Sequence, residues 1–294
     1  MRILLLTLMN AISIFAFDAF VSAQDLKKGL SNPKLILLDV GTEEDYASGH
    51  IPNAQNIKVS SLRKNVQKHQ LMRSESELEV FFRSLGINND SEVVIYGHNK
   101  KKESLKAAYT ALSLITMGMD AVSILDGGYV EWSYDDSFPI TQKTSEVEPG
   151  AFTAKMRSDI LVDMDYVKKR LYKTPMLEAR PPAFYYGTLQ SPGVERRGHI
   201  SGGVSSFWKD KFTEDDMLQT QDVLNEIFFK GYGLKADEEV ILYCTGGLEA
   251  SMNWYVLHQH LKFTSAKMYD GSMREWGNRQ DTAVTRYKWE VFTN

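Results

Sequence analysis

The sequence is poor in cysteine. One residue, Cys244, is all that 294 positions hold. An internal disulfide is therefore excluded. The thiol is either a small buried apolar group or a free reactive one. An excess of basic charge is also missing. The net charge is -4, which gives no global footprint for nucleic acid, and none is expected as a partner. The body of the chain has no low-complexity tract and no apolar run of about 18 residues, so no spanning helix is expected there.

The N-terminus differs. Met1-Arg2 is a minimal positive start, and Ile3 to Phe20 is largely apolar, broken by Asn10 and Asp18. Val21-Ser22-Ala23 puts small residues where a signal peptidase reads. Residues 1–23 are thus expected to be a signal peptide, Gln24 the first mature residue, and the protein periplasmic or secreted. An uncleaved anchor is the alternative, which Asn10, Asp18 and the triplet disfavour. After cleavage no membrane contact is expected.

What is present is a repeat. Leu35 to Asp39 reads as a buried strand and is followed by Gly49-His50-Ile51-Pro52. Met176 to Arg180 is followed in the same way by Gly198-His199-Ile200. Val93 to Tyr96 matches Val240 to Tyr243, and Val122 to Trp132 matches Ala266 to Trp276. Leu105, Ala108, Leu112 and Ile115 share one helical face; so do Ala250, Trp254, Leu257 and Leu261. Strands alternating with helices predict an α/β fold of two tandem domains. Each is a mostly parallel central sheet flanked by helices. The expected boundaries are 24–141 for the first domain, 142–151 for a linker and 152–294 for the second. Neither His50 nor His199 has a second histidine at ligand spacing, so no metal and no cofactor are expected. As both copies carry this histidine, it reads as structural. Asp126 and Asp270, each before glycine, read as turn builders.

These markers resemble the tandem rhodanese-like sulfurtransferases of the thiosulfate and 3-mercaptopyruvate type. Tyr46 to Ala54 is similar to that family's N-terminal signature, with Asn53 where glycine is usual. Ala266 to Trp276 is similar to its C-terminal signature, with Met273 where an aromatic is usual.

In the second copy a strand leads into Cys244-Thr245-Gly246-Gly247-Leu248-Glu249 and then a helix. The carboxyl end of a parallel strand is where open α/β sheets bind ligands. Glycines let the loop curl so that N–H groups face the sulfur and favour its anion. The same cradle suits a persulfide. A sulfur donor would load Cys244, and a thiol or cyanide acceptor would unload it, in ping-pong order. The resemblance implies the same double displacement. In the first copy Gly97 stands at the nucleophile's position, followed by His98-Asn99 and the lysines 100–102, which read as a solvated run. That domain is expected to be inactive and to wall the cleft, as the resemblance implies. A cysteine phosphatase is disfavoured, because its loop needs a terminal arginine and Glu249 would repel phosphate.

Several positions depart from the family. Thiosulfate-using members carry cations just after the cysteine, and mercaptopyruvate-using members small residues with a serine. Thr245 and Gly246 match neither. Glu249 replaces a common threonine and should raise the thiol pKa. Arg180 is kept as a substrate-binding candidate, but Phe184 stands where the family tends to have the arginine that holds the donor's anionic group. Arg196, Arg197 and Arg274 are possible replacements whose placement the sequence does not give. Glu178 and Asp39, twins at strand ends, are candidates for orienting groups behind the site. The rival to an enzyme is a binding or sensing module that holds a small anion or partner thiol without turnover.

Overall fold

Leu35–Asp39 is apolar up to its last residue and is buried from Leu37 onward. Such a strand needs cover on both faces, and the fold supplies it. In the computed structural model, which describes residues 18–98 and 100–289 apart from the side chains of residues 100–102, the first domain is a five-stranded sheet. Its strands are β1 (Phe20–Val21), β2 (Leu35–Asp39), β3 (Gln55–Asn56), β6 (Glu92–Tyr96) and β7 (Val122–Leu125). Their order is β1-β7-β6-β2-β3, and every pairing is parallel. The hairpin β4 (Arg63–Val66) and β5 (His69–Met72) stands apart from the sheet. The helices are α1 (Ala23–Gly29), α2 (Glu43–Ser48), α3 (Glu75–Ser84), α4 (Lys100–Thr116) and α5 (Gly128–Trp132).

The second domain repeats the plan. Strands β8 (Met176–Glu178), β10 (Val204–Ser205), β11 (Val240–Tyr243) and β12 (Ala266–Met268) form a parallel sheet in the order β10-β8-β11-β12. A small antiparallel pair, β9 (His199–Ile200) and β13 (Val284–Thr285), flanks it. Its helices are α6 (Met164–Arg170), α7 (Pro182–Tyr185), α8 (Gln221–Asn225), α9 (Leu248–Tyr255) and α10 (Ser272–Trp276). The segment 142–151 has no helix or strand and lies along the first domain, where Gly150 N–H donates to Arg83 O.

The repeat is physical as well as textual. His50 and His199 each stack on a tyrosine four or fourteen residues earlier, with ring centres 3.7 and 3.8 Å apart. Each bonds that tyrosine's carbonyl through Nδ1 at 2.8 Å. Trp132 and Trp276, both fully buried, close their corners by donating to Pro139 O and Ala283 O.

The halves pack through α4 and α9, the helices that follow β6 and β11. One apolar cluster runs through both, joining Ala108, Ala111 and Ile115 to Met252, Tyr255 and Val256. The N-terminal strand belongs to this body. Ala19 O accepts from the buried Tyr255 hydroxyl at 2.6 Å, and Phe20 packs edge-on against Tyr255 and Phe212. Ser22 caps α1 through Asp25 N–H, which places Gln24 inside that helix.

Candidate active site

β11 is buried at all four residues and delivers Cys244 to the junction of the sheet, α9 and the first domain. The turn after β12 fixes that end of the strand. Cys244 N–H donates to Ser272 Oγ at 3.1 Å, and Met273 and Arg274 N–H groups take the carbonyls of Cys244 and Thr245. Gly247 N–H points back to the Cys244 sulfur at 3.1 Å. Gly247 can do so because its φ is +98°, and a Cβ there would meet Asp270 Oδ1 at 2.4 Å. Leu248 begins α9 and packs on the core.

The cradle exists, yet it does not set the thiol's protonation. Cys244 is fully buried, and burial pushes its pKa well up; the Glu249 carboxylate adds to this through its charge and a hydrogen bond to the thiol. Backbone N–H groups of Ala250 and Gly246 pull the other way and lose. The expectation that the loop lowers the thiol pKa is thus corrected. The sequence shows the N–H donors but not the depth of burial.

The other candidates separate into two places. Glu178 pairs with Tyr243 across the sheet, so it stands beside the cysteine strand. Both it and Arg180 are buried and bind each other through two contacts, one of them Arg180 Nη2 to Glu178 Oε2 at 2.7 Å. Arg180 also reaches Ser191 Oγ at 3.0 Å and Gly198 O at 2.7 Å. Its guanidinium is thereby committed to the fold, and Ser191 passes the contact on to Thr245 at 3.4 Å. Phe184 lies half-buried on α7 and brings no charge.

Asp39 is elsewhere, in the first domain's own copy of the loop. There its Oδ2 holds His98 Nε2 at 2.7 Å and its Oδ1 takes Gly41 N–H. Gly97 stands where the nucleophile would be. The side chains of lysines 100–102 lie outside the described residues.

Sequence reasoning missed what the first domain gives to the loop. Arg63, at the start of the hairpin, is buried and its guanidinium donates to Gly246 O. Asp270 Oδ2 accepts from Met72 N–H at 2.7 Å and from Tyr109 Oη at 2.9 Å, and Arg63 lies 3.8 Å from Oδ1. Asp270 is therefore a hook between domains as well as a turn residue. Its twin Asp126 does the same in reverse, accepting Leu218 N–H of the second domain at 2.9 Å. The one available signal was the identical Asp-Gly in both copies. Beside the loop an open groove of about 530 Å³ is lined by Lys68, Ser191, Pro192 and Gly193 among others. Among the described residues no cluster of three or more metal-ligating side chains exists.

A cysteine on a parallel-strand end, two like domains and a shared loop interface define a class, and comparison with known proteins names it. The Rhodanese-like domain family matches residues 22–135 and 163–279, and the chain belongs to that family. It is 30% identical over 285 residues to the 3-mercaptopyruvate sulfurtransferase of Escherichia coli K12, covering 92% of this chain and 98% of that one. It is 28% identical to the sulfur carrier protein TtuD of Thermus thermophilus, over 89% of this chain and 94% of that one. The crystal structure of SseA from Escherichia coli matches with a TM-score of 0.73 and 26% identity, covering 87% of this chain and 98% of that one. A structure of EanB with ergothioneine matches at a TM-score of 0.79 and 20% identity, over 92% of this chain and 71% of that one, a likeness of fold. At the family level these names point to sulfur transfer.

Proposed function

We propose that this protein is a sulfurtransferase that carries sulfane sulfur as a persulfide on Cys244. The observation that carries the reading is the Cys244 sulfur on a parallel-strand end, facing Gly247 N–H at 3.1 Å in a loop completed by both domains. The Cys244 thiol, held neutral at rest by its burial, first gives up its proton to solvent, and the resulting thiolate attacks the outer sulfur of a donor. From thiosulfate, the S–S bond breaks and sulfite leaves with the electron pair. From 3-mercaptopyruvate, the C–S bond breaks and the enolate of pyruvate leaves, then takes up a proton. A thiol or cyanide acceptor removes the outer sulfur and restores the thiolate. One relative's name supports 3-mercaptopyruvate as donor, and the family-level likeness does not choose between the two.

Burial of the thiol favours one rival, a module that binds without turnover. Intact mass after incubation with each donor separates the two. A gain of about 32 Da, lost to cyanide and absent from Cys244→Ser, is expected for the enzyme. No gain with any donor would establish the module instead. Export is part of the proposal and rests on the apolar stretch from Ile3 to Phe20, most of which lies outside the described residues. Fractionation of the native host reads it directly.

A further inference from the structure

We propose that Arg274 holds the anionic end of the sulfur donor. The inference rests on the sulfurtransferase reading and deepens it. Charges near the loop are mostly committed. Arg180 is locked to Glu178, Arg63 to Gly246 O and Asp270, and Lys68 to Glu195. Arg196 is bound by the carbonyls of Trp276, Gly277 and Thr282, and Arg197 by Gln190. Arg274 makes one long contact, Nε to Pro192 O at 3.4 Å, and no ion pair among the described residues.

Its position is specific. Arg274 N–H donates to Thr245 O at 2.9 Å, which fixes its backbone beside the catalytic loop. Its Cδ and Nη1 lie 3.3 and 3.5 Å from the point where a side chain on Gly246 would begin. Its Nε lies 3.3 Å from the corresponding point on Gly193. Glycine at both positions therefore leaves room for the guanidinium, between the loop and the groove wall. A charge absent from the loop residue Gly246 is supplied from α10 into the same space.

The chemistry follows. A guanidinium presents a fork of N–H donors that suits a planar carboxylate or two oxygens of a sulfonate-like group. Glu249, bonded to the thiol, opposes an anion there; the unpaired Arg274 guanidinium, brought from α10 beside Gly246, offsets it. The ligand class is a small oxyanion with its transferable sulfur at the other end. Thiosulfate and 3-mercaptopyruvate share that chemistry.

The test uses Arg274→Gln and Arg274→Lys in the full chain. The first readout is alkylation of Cys244 by iodoacetate, which is anionic, against iodoacetamide, which is neutral. Arg274→Gln should lower the iodoacetate-to-iodoacetamide rate ratio by about tenfold at low salt. The lysine variant should recover part of it, and the neutral reagent should be unaffected. The second readout is kcat/KM for the two donors; the one whose value falls with the ratio is the donor held here. An unchanged ratio overturns the proposal. So does an equal fall for both reagents, which would mark a structural role. If the ratio falls but no donor forms a persulfide, Arg274 stands as an anion site and the sulfurtransferase reading fails.

Discussion

Lys211 is fully buried without a carboxylate ion pair among the described residues, bonding Ser206 Oγ at 2.9 Å and Phe207 O at 2.8 Å. Burial lowers its pKa from 10.5 to about 7. The unfolded chain thus holds more protons than the folded one between those values. The folded state carries the full penalty below about pH 7 and sheds it as pH rises toward 10.5. Lys211→Met should therefore stabilise the protein at pH 6 by up to a few kcal/mol, with a margin that shrinks by pH 9. Denaturant unfolding of both proteins across that range measures it, and a margin independent of pH would refute the assignment. Glu249 makes the second prediction at this scale. As it raises the thiol pKa by charge and hydrogen bond, Glu249→Gln should lower that pKa and speed alkylation by neutral iodoacetamide at fixed pH. A rate profile against pH with an unmoved midpoint would show that burial alone sets the thiol.

Among the elements, one of the shortest carries a large consequence. β1 has two residues, yet it is an edge of the first sheet, with Phe20 opposite Ile124 and Val21 opposite Leu125. A chain beginning at Gln24 would lose that strand, the Ser22 cap and the Ala19 acceptor of Tyr255. A missing cap alone costs about 1 kcal/mol. Protein starting at Gln24 should melt about 4 °C or more below protein starting at Asp18. If export occurs, N-terminal sequencing should accordingly find the cut upstream of Asp18; a mature chain starting at Gln24 and melting as high would defeat this. The sequence made the long elements legible. β2, β6, β7 and β11 are dense apolar runs, and α4 and α9 repeat apolar residues on one face. β1 was hidden because its residues also satisfy a peptidase pattern, and two residues are too few for a period. Cys244 was readable from its strand and glycines. Its protonation was not, because burial comes from residues distant in sequence. Arg63 and Tyr109 were invisible for the same reason.

Beside the shared core of α4 and α9, two reciprocal hooks join the halves. Each domain offers an aspartate after a strand, and the other domain donates a backbone N–H to it, from Met72 at the end of β5 and from Leu218. At the Cys244 loop the hook is reinforced by Arg63. Arg63→Met would leave Asp270 without its nearest cation and Gly246 O without its donor. It should cost about 3–5 kcal/mol, the usual cost of breaking a buried pair from one side. Adding Asp270→Asn should recover part of that loss, and chemical denaturation of the four proteins gives the coupling. Strict additivity would mean that the two residues do not sense each other. The complete burial of Cys244 has a kinetic consequence. A reagent reaches the sulfur only after the structure around it opens, so labelling couples an opening equilibrium to a chemical step. At low reagent concentration the rate should rise in proportion to reagent. At high concentration it should level off at the opening rate, making the lone thiol a clock for opening of its own site.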